Sequence, residues 1–403
     1  MHFDVALLLF ILSLGAFVVP ILAPRLQVPE AVGHIFFGIG VALVYPDLLG
    51  SLDSSHGHRE TEQVLHLLAE LGFILLMFGA GMEINFAAIE RGGKSGVIRG
   101  LLVAIGVIVL SAGLVAQWGL GPFYVVVLSA TSIGLGVVVL RETGLANKPV
   151  GQTVLLVGAI GEFFTLVAMT VYNVYKNVGG LKLELLLEVG KLSLLLVVGA
   201  LFLRFLKAWS WWHPDFFQRV FAEHDHSEFG VRAAVTACLA FVALAVFLKI
   251  DPILGAFIAG AVARMVFRDV NVLETKMSAL ASGFFIPIFF IGVGMTFEFS
   301  QLSVEGFKTA LFLGGLMVLA RVVPCALLVT DRNLGPREAF GVSLLLAAPL
   351  TLLVAIAKLG EKIGVIDEKE GSALVLLAIL LSIVTPVIFR ILFRRPGLSV
   401  AHH

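Results

Sequence analysis

The sequence predicts an all-α polytopic membrane protein of about 13 transmembrane helices, arranged as an inverted-topology repeat with two crossed broken helices. Three observations carry this: an apolar composition, a succession of span-length apolar stretches, and a glycine signature that recurs late in the chain. The residues AVILMFWYC make up 59% of the 403 positions and charged residues only 14%, where a soluble domain has about 25% charged. That excludes a water-soluble globule and leaves no room for a large soluble domain. Lys+Arg and Asp+Glu balance at 28 each, which excludes a basic nucleic-acid footprint and an acidic tail. Cys238 and Cys325 stand alone in apolar sequence, without disulfide or metal-ligand spacing. The N-terminus has neither a cationic n-region nor a small-residue cleavage site, so the first apolar segment is read as a retained span.

Charges, prolines and glycine-rich breaks divide the chain into apolar stretches at 4–23, 29–46, 64–82, 97–119, 122–140, 150–175, 185–206, 231–248, 252–267, 280–297, 309–330, 339–357 and 371–393. The stretches 29–46 and 252–267 are short for a span. HPDFFQRVFAEHDHSE, His213 to Glu228, is too polar to cross, and its aromatics suit a helix lying at the interface. Cytoplasmic connections carry the excess of Lys and Arg. With the N-terminus outside and the C-terminus inside, the inner connections hold 18 and the outer ones nine, with Arg321 left within a span.

The third and tenth stretches align as FILLMFGAGMEINF (73–86) and FIPIFFIGVGMTFEF (285–299), sharing Gly-x-Gly-Met at Gly79–Met82 and Gly292–Met295. The second and ninth align as VGHIFFGIG (32–40) and LGAFIAGAV (254–262), matching Gly33 and Gly38 with Gly255 and Gly260. Units seven spans apart enter the membrane from opposite sides, hence the inverted repeat. Glycines in membrane helices also mark close packing. The division expected is 1–180 as a first repeat of six spans, 181–228 as linker span and interfacial helix, 229–395 as the second repeat, and 396–403 as a tail.

In inverted-repeat architectures, broken helices face a cavity near the midplane. The fifth stretch, VLSATSIGLGVVVLRETG, places Ser129, Thr131 and Ser132 before Gly134 and Gly136. Its counterpart, VSLLLAAPLTLLVAIAKLG, has Pro349 followed by Thr351 near its middle, and proline leaves a helical carbonyl unpaired. Glu162 is the lone ionisable residue in the middle of the sixth stretch. A carboxylate at that depth costs about 2.5–3.5 kcal/mol to insert and is a functional candidate by default, able to hold a proton at one moment and a cation at the next. A structural acid paired with Arg321 is the alternative, and Arg321 could equally reach toward the cytoplasmic surface. Glu70 and His66, and Glu30 and His34, read as packing or entrance residues, with Glu70 a possible second carboxylate. Glu83, Glu142, Asp251 and Glu298 fall at span ends. His224-Asp225-His226 lacks two further ligands at metal-binding spacing. No Walker motif, nucleophile elbow, HExxH or strand-linked GxGxxG is present, so neither cofactor nor enzyme chemistry is expected.

Four stretches resemble the monovalent cation:proton antiporter-2 family of sodium/proton and potassium/proton exchangers: LQVPEAVGHIFFGI (26–39), LAELGFILLMFGAGMEIN (68–85), LSATSIGLGVVVLRETG (128–144) and ILGAFIAGAVA (253–263). Their order covers nearly the whole chain. The resemblance implies thirteen helices, a dimerisation domain beside a mobile core domain, elevator-type alternating access, a homodimer in a bacterial-type inner membrane, and a role in pH homeostasis. The family usually carries Asp-Asp, Asn-Asp or Gln-Asp on the sixth span, where this sequence has Gly161-Glu162. Potassium-efflux relatives tend to show Gly-Glu-Phe on the twelfth, where this sequence has Ala348-Pro349-Leu350-Thr351. Those relatives often append a nucleotide-binding regulatory domain, whereas this sequence stops eight residues after Arg395, and its His402-His403 could be a tag remnant. The expected function is exchange of Na+ or K+ for protons. Glu162 is the shared carboxylate and metal ligand for the monovalent cation, Thr131, Ser132, Thr165 and Thr351 surround it, and carbonyls are freed near Gly134 and Pro349. A proton-coupled carrier of an anion or organic solute, or a non-transporting membrane sensor, are the alternatives.

Overall fold

The computed structural model describes residues 3–26, 28–44, 56–82, 86–178, 228–248, 252–266, 270–297, 304–330 and 334–393, with scattered positions between 190 and 212. All described elements are helical. In chain order they are α1 (Phe3–Leu22), α2 (Glu30–Val44), α3 (His56–Met82), α4 (Phe86–Trp118), α5 (Phe123–Ser129), α6 (Gly134–Glu142), α7 (Pro149–Val178), α8 (Phe229–Phe247), α9 (Pro252–Val266), α10 (Val270–Leu280), α11 (Ile286–Met295), α12 (Val304–Cys325), α13 (Pro336–Leu346), α14 (Leu350–Lys362) and α15 (Glu368–Leu392). Among the described residues nine helices are long and apolar enough to cross a membrane, or ten with the pair α13 and α14, which is bent by 42°. The protein is thus a multi-pass membrane protein. The tenth apolar stretch is longer than its hydropathy alone suggests, forming one span from Leu273 to Met295 through α10, a wide π turn at Ala281–Phe285, and α11. Most of the seventh stretch, residues 213–227 of the polar linker with its His224-Asp225-His226, and Glu83, Asp251 and Glu298 lie outside the described residues, as does the side chain of Glu142.

Local chemistry sets several helix ends. Asp367 accepts a hydrogen bond from the Glu370 N–H (2.7 Å) while Glu370 accepts one from the Asp367 N–H (3.1 Å), a capping box that starts α15. Glu338 does the same for the Gly335 N–H (3.0 Å) at the start of α13, where Pro336 occupies a position whose N–H would have no helical partner. Gly93, at φ 60° and ψ −177°, breaks α4 and lets its apolar part begin there.

The chain divides into two compact units, each assembled from both halves of the sequence: Met1–Ile84 with Thr170–Phe297, and Asn85–Met169 with Glu298–His403. In the first unit, α2 crosses α11 and α3 crosses α9, both at glycines. A Cβ on Gly38 would run into the carbonyl oxygen of Ile291, and one on Gly294 into that of Ile35. At the other crossing, Gly260 meets the carbonyl of Phe78 and Gly81 that of Phe257. The two crossings are equivalent: the alignments that pair Gly38 with Gly260 and Gly81 with Gly294 also pair Ile35 with Phe257 and Phe78 with Ile291. Small residues let the backbones approach this closely, which is how helices gain packing energy without a hydrophobic drive between them. Leu8 and Leu12 of α1 fill in against Ile288 and Ile291, and Phe73 stacks on Phe289 at 4.9 Å.

The second unit packs α4–α6, the first two-thirds of α7 and α12–α15 around an apolar core that includes Val107, Val154, Leu345 and Phe389. Two of its spans are interrupted. α5 and α6 are separated by residues 130–133, which are not helical, and α13 and α14 by Ala347–Pro349.

Candidate functional site

The interruptions free backbone groups that must be satisfied inside the protein, because hydrocarbon offers no partner. Arg321, near the C-terminal end of α12 and fully buried, meets several of them. Its Nε–H donates to the carbonyl of Leu346 (3.0 Å) at the end of α13, and Nη1 donates to Leu128 (3.0 Å) near the end of α5 and to Met317 (2.6 Å) of its own helix. Nη2 donates to the Ala130 carbonyl. One guanidinium therefore binds the C-terminal ends of both interrupted half-helices, where partial negative charge gathers. A planar, permanently charged fork suits that geometry better than a point charge.

Glu162 lies near the middle of α7 and is 2% exposed. The Ser132 hydroxyl, in the interruption after α5, donates to its Oε1 at 3.1 Å. Thr165, one turn on, ties the same interruption to α7. Its Oγ1 accepts the Thr131 N–H (3.1 Å) and donates to the Gly161 carbonyl (2.8 Å), with the Ser129 carbonyl 3.3 Å away. Thr131 Oγ1 donates to the Ser129 carbonyl at 3.1 Å. Thr131, Ser132 and Thr165 are all buried, so the structure gathers Glu162, three hydroxyls and the Ser129 carbonyl in one place. That is a hard-oxygen donor set of the kind that replaces the water shell of an alkali cation.

The other anticipated residues take different positions. The interruption runs from Ala130 to Ile133, so Gly134 opens α6 and Gly136 lies within it, where an added Cβ would make only ordinary contact with Val154 and Leu345. Pro349 precedes the first residue of α14, and its carbonyl accepts from Leu353 N–H at 2.7 Å. Thr351, half-buried in the first turn of α14, makes none of the described hydrogen bonds to Glu162 or Ser132. Glu70 belongs to α3 in the first unit, is 42% exposed at its side chain, and lies 4.0 Å from His66. Sequence reasoning missed the carbonyl-binding role of Arg321, which leaves no mark in its partners' side chains. It also missed Gly158, whose spacing from Gly161 signals close approach on the face bearing the carboxylate.

The sodium/hydrogen exchanger transmembrane family model matches residues 13–395. The chain belongs to the sodium/hydrogen exchanger family. It is 29% identical over 418 aligned positions to YjbQ of Bacillus subtilis, which carries the name of a Na+/H+ antiporter, covering 98% of this chain and 64% of that protein. It is 24% identical to GerN of Bacillus cereus, named as a Na+/H+-K+ antiporter, covering 92% of each. Among solved structures, the sodium proton antiporter MjNhaP1 of Methanocaldococcus jannaschii shares its fold with a TM-score of 0.62 at 16% identity, covering 96% of this chain and 95% of that one. Membership in a family of transporters fits the absence of enzyme motifs from the sequence.

Proposed function

We propose that this chain exchanges Na+ or K+ for protons by alternating access, with Glu162 as the carboxylate that proton and cation occupy in turn. The observation that carries this reading is the burial of Glu162 in mid-span beside a helix interruption whose Ser132 hydroxyl reaches its Oε1 at 3.1 Å. A buried carboxylate among neutral oxygens can be neutralised by one proton or by one alkali ion. Arg321 supports the cation over an anionic substrate, because its donors are turned to backbone carbonyls. Thr131, Thr165 and the freed carbonyls complete the shell in this reading, and Thr351 joins it only after a rearrangement of α14. The motif resemblance favours the antiporter-2 branch of the family.

The proposal extends to assembly and placement: a homodimer in a bacterial-type inner membrane, outer N-terminus, inner C-terminus, and inverted repeats spanning 1–180 and 229–395. The 18-to-nine charge split supports the orientation, and the equivalent glycine crossings support the repeat. Cysteines replacing exposed Lys369 and exposed Lys148 test the orientation. An impermeant thiol reagent added outside intact cells should label the first and spare the second; the reverse pattern refutes it. The central test is Glu162→Gln in reconstituted vesicles. The amide keeps the shape but cannot change charge, so Na+- or K+-driven pH change should vanish while the protein remains folded. Exchange at the wild-type rate would remove Glu162 from the mechanism.

A further inference from the structure

The residue preceding Glu162 has no side chain, and the structure gives the reason. A Cβ placed on Gly161 would stand 2.8 Å from Cγ2, 3.1 Å from Cβ and 3.4 Å from Oγ1 of Thr131. One turn earlier, a Cβ on Gly158 would collide with Cγ2 of Ile133 and lie 3.2 Å from Cδ2 of Leu346. Residues two apart in a non-helical segment can point the same way, and residues three apart on a helix share a face. Thr131 and Ile133 accordingly fill the hollows over Gly161 and Gly158. A third point fixes the segment, the Thr131 N–H donating to Thr165 Oγ1 at 3.1 Å. Ser132 lies between the two seated residues in sequence, and its hydroxyl donates to Glu162 Oε1 at 3.1 Å, so a shift of the seated segment carries this contact with it.

We propose that Gly161 is a positioning and specificity-determining residue: lacking a side chain, it seats Thr131 against α7, holds the interruption in register with Glu162, and keeps the site to one carboxylate. This rests on the exchange reading of Glu162. Any side chain at position 161 must begin with a Cβ in space that Thr131 fills. The polar group that meets Glu162 is then the Ser132 hydroxyl of the interruption rather than a second acid or amide from α7. Shifting the interruption by a few tenths of an ångström would move Ser132 away from Oε1, and a displacement of about 1 Å can cost a reaction on the order of a hundredfold.

The test uses four forms of the full chain reconstituted in vesicles: wild type, Gly161→Ala, Thr131→Ser, and the double variant. Serine keeps the hydroxyl and removes Cγ2, the atom an added Cβ meets first. Gly161→Ala should slow Na+- or K+-driven exchange by about ten- to a hundredfold and raise the apparent KM for the cation. The double variant should recover at least about tenfold over Gly161→Ala, a coupling of the size seen between touching residues. Wild-type exchange and KM in Gly161→Ala, or a double variant as slow as that single, overturns the proposal. Thermal unfolding of the same four proteins should show the same coupling without any transport. If Glu162→Gln retains exchange, the functional reading falls, while the seat is still judged by the unfolding measurements. If Gly161→Ala alone does not accumulate, recovery of folded protein in the double variant supports the seat, and its failure overturns it.

Discussion

The two compact units bury their helix crossings in opposite ways. In the first, unbroken helices meet backbone to backbone at Gly38, Gly294, Gly81 and Gly260, and the buried polar side chains described there are His34, Thr61 and Thr170. In the second, the helices α5/α6 and α13/α14 are interrupted where Arg321 joins them, and the other buried polar side chains among the described residues, Glu162 included, lie in this unit. A glycine crossing leaves the helical hydrogen bonds uninterrupted and depends on shape. An interrupted crossing leaves backbone groups to be met by side chains, and in the exchange reading proposed above it also offers oxygens to an ion. The same bilayer problem has been solved once for packing and once for chemistry, and the two solutions should fail differently.

The largest expected difference follows from removing Arg321. Arg321→Gln leaves buried carbonyls at Leu128, Ala130 and Leu346 short of donors, and each unmet buried group costs about 1–3 kcal/mol. The variant should fail to accumulate or unfold at markedly lower temperature, with Arg321→Lys recovering only part of the loss because a point charge cannot reach all the carbonyls. Gly81→Ala, by contrast, presses a Cβ against the Phe257 carbonyl and should cost about 1–3 kcal/mol through overpacking. Its folded fraction should keep the wild-type apparent KM for the cation, since that crossing holds no exchange group. Thermal unfolding with cation titration of the three variants checks the contrast. An Arg321→Gln protein of wild-type stability, or a Gly81→Ala protein with altered KM, would erase the distinction between the two kinds of crossing.

The same contrast explains what could be read from the sequence. Glycine crossings are written in glycines, so aligning Gly79–Met82 with Gly292–Met295 and Gly38 with Gly260 picks out the residues at which the first unit's helices cross, but not which helix meets which: each aligned stretch crosses a member of the other pair. Hydropathy placed most of the described helices, and the lone mid-span acid marked Glu162. The interruption was harder to place. Gly134 and Gly136 suggest where helix propensity is weakest, yet the chain leaves helical geometry at Ala130–Ile133, where Thr131 and Thr165 hydroxyls compete for backbone groups. Arg321 was visible as a stranded cation, but the carbonyls it serves belong to Leu, Ala and Met residues whose side chains carry no polar signal.

The smallest expected effect is one of membrane potential, and it follows from counting carboxylates in the second unit. Among the described residues Glu162 is the one buried carboxylate. Position 161 offers no side chain, the stretch from Ala281 to Phe297 contains neither Lys nor Arg, and arginine does not deprotonate in a protein. If one group binds either one proton or one monovalent cation, the loaded site has the same charge in both directions of the cycle. Exchange should then be electroneutral, one cation for one proton. The driving force is substantial, since moving a net charge is worth about 2.3 kcal/mol per 100 mV, so an electrogenic cycle could not hide from it. Imposing diffusion potentials of either sign on reconstituted vesicles, with valinomycin controls, while following Na+-driven pH change should leave both the initial rate and the end point unaltered. A clear dependence on potential would mean that a second group releases a proton when the cation enters. Glu70 of α3 would be the first to replace, and His34 of α2, buried in the first unit, the second. Loss of the potential dependence in either variant would identify the extra carrier and extend the exchange chemistry beyond the interrupted helices.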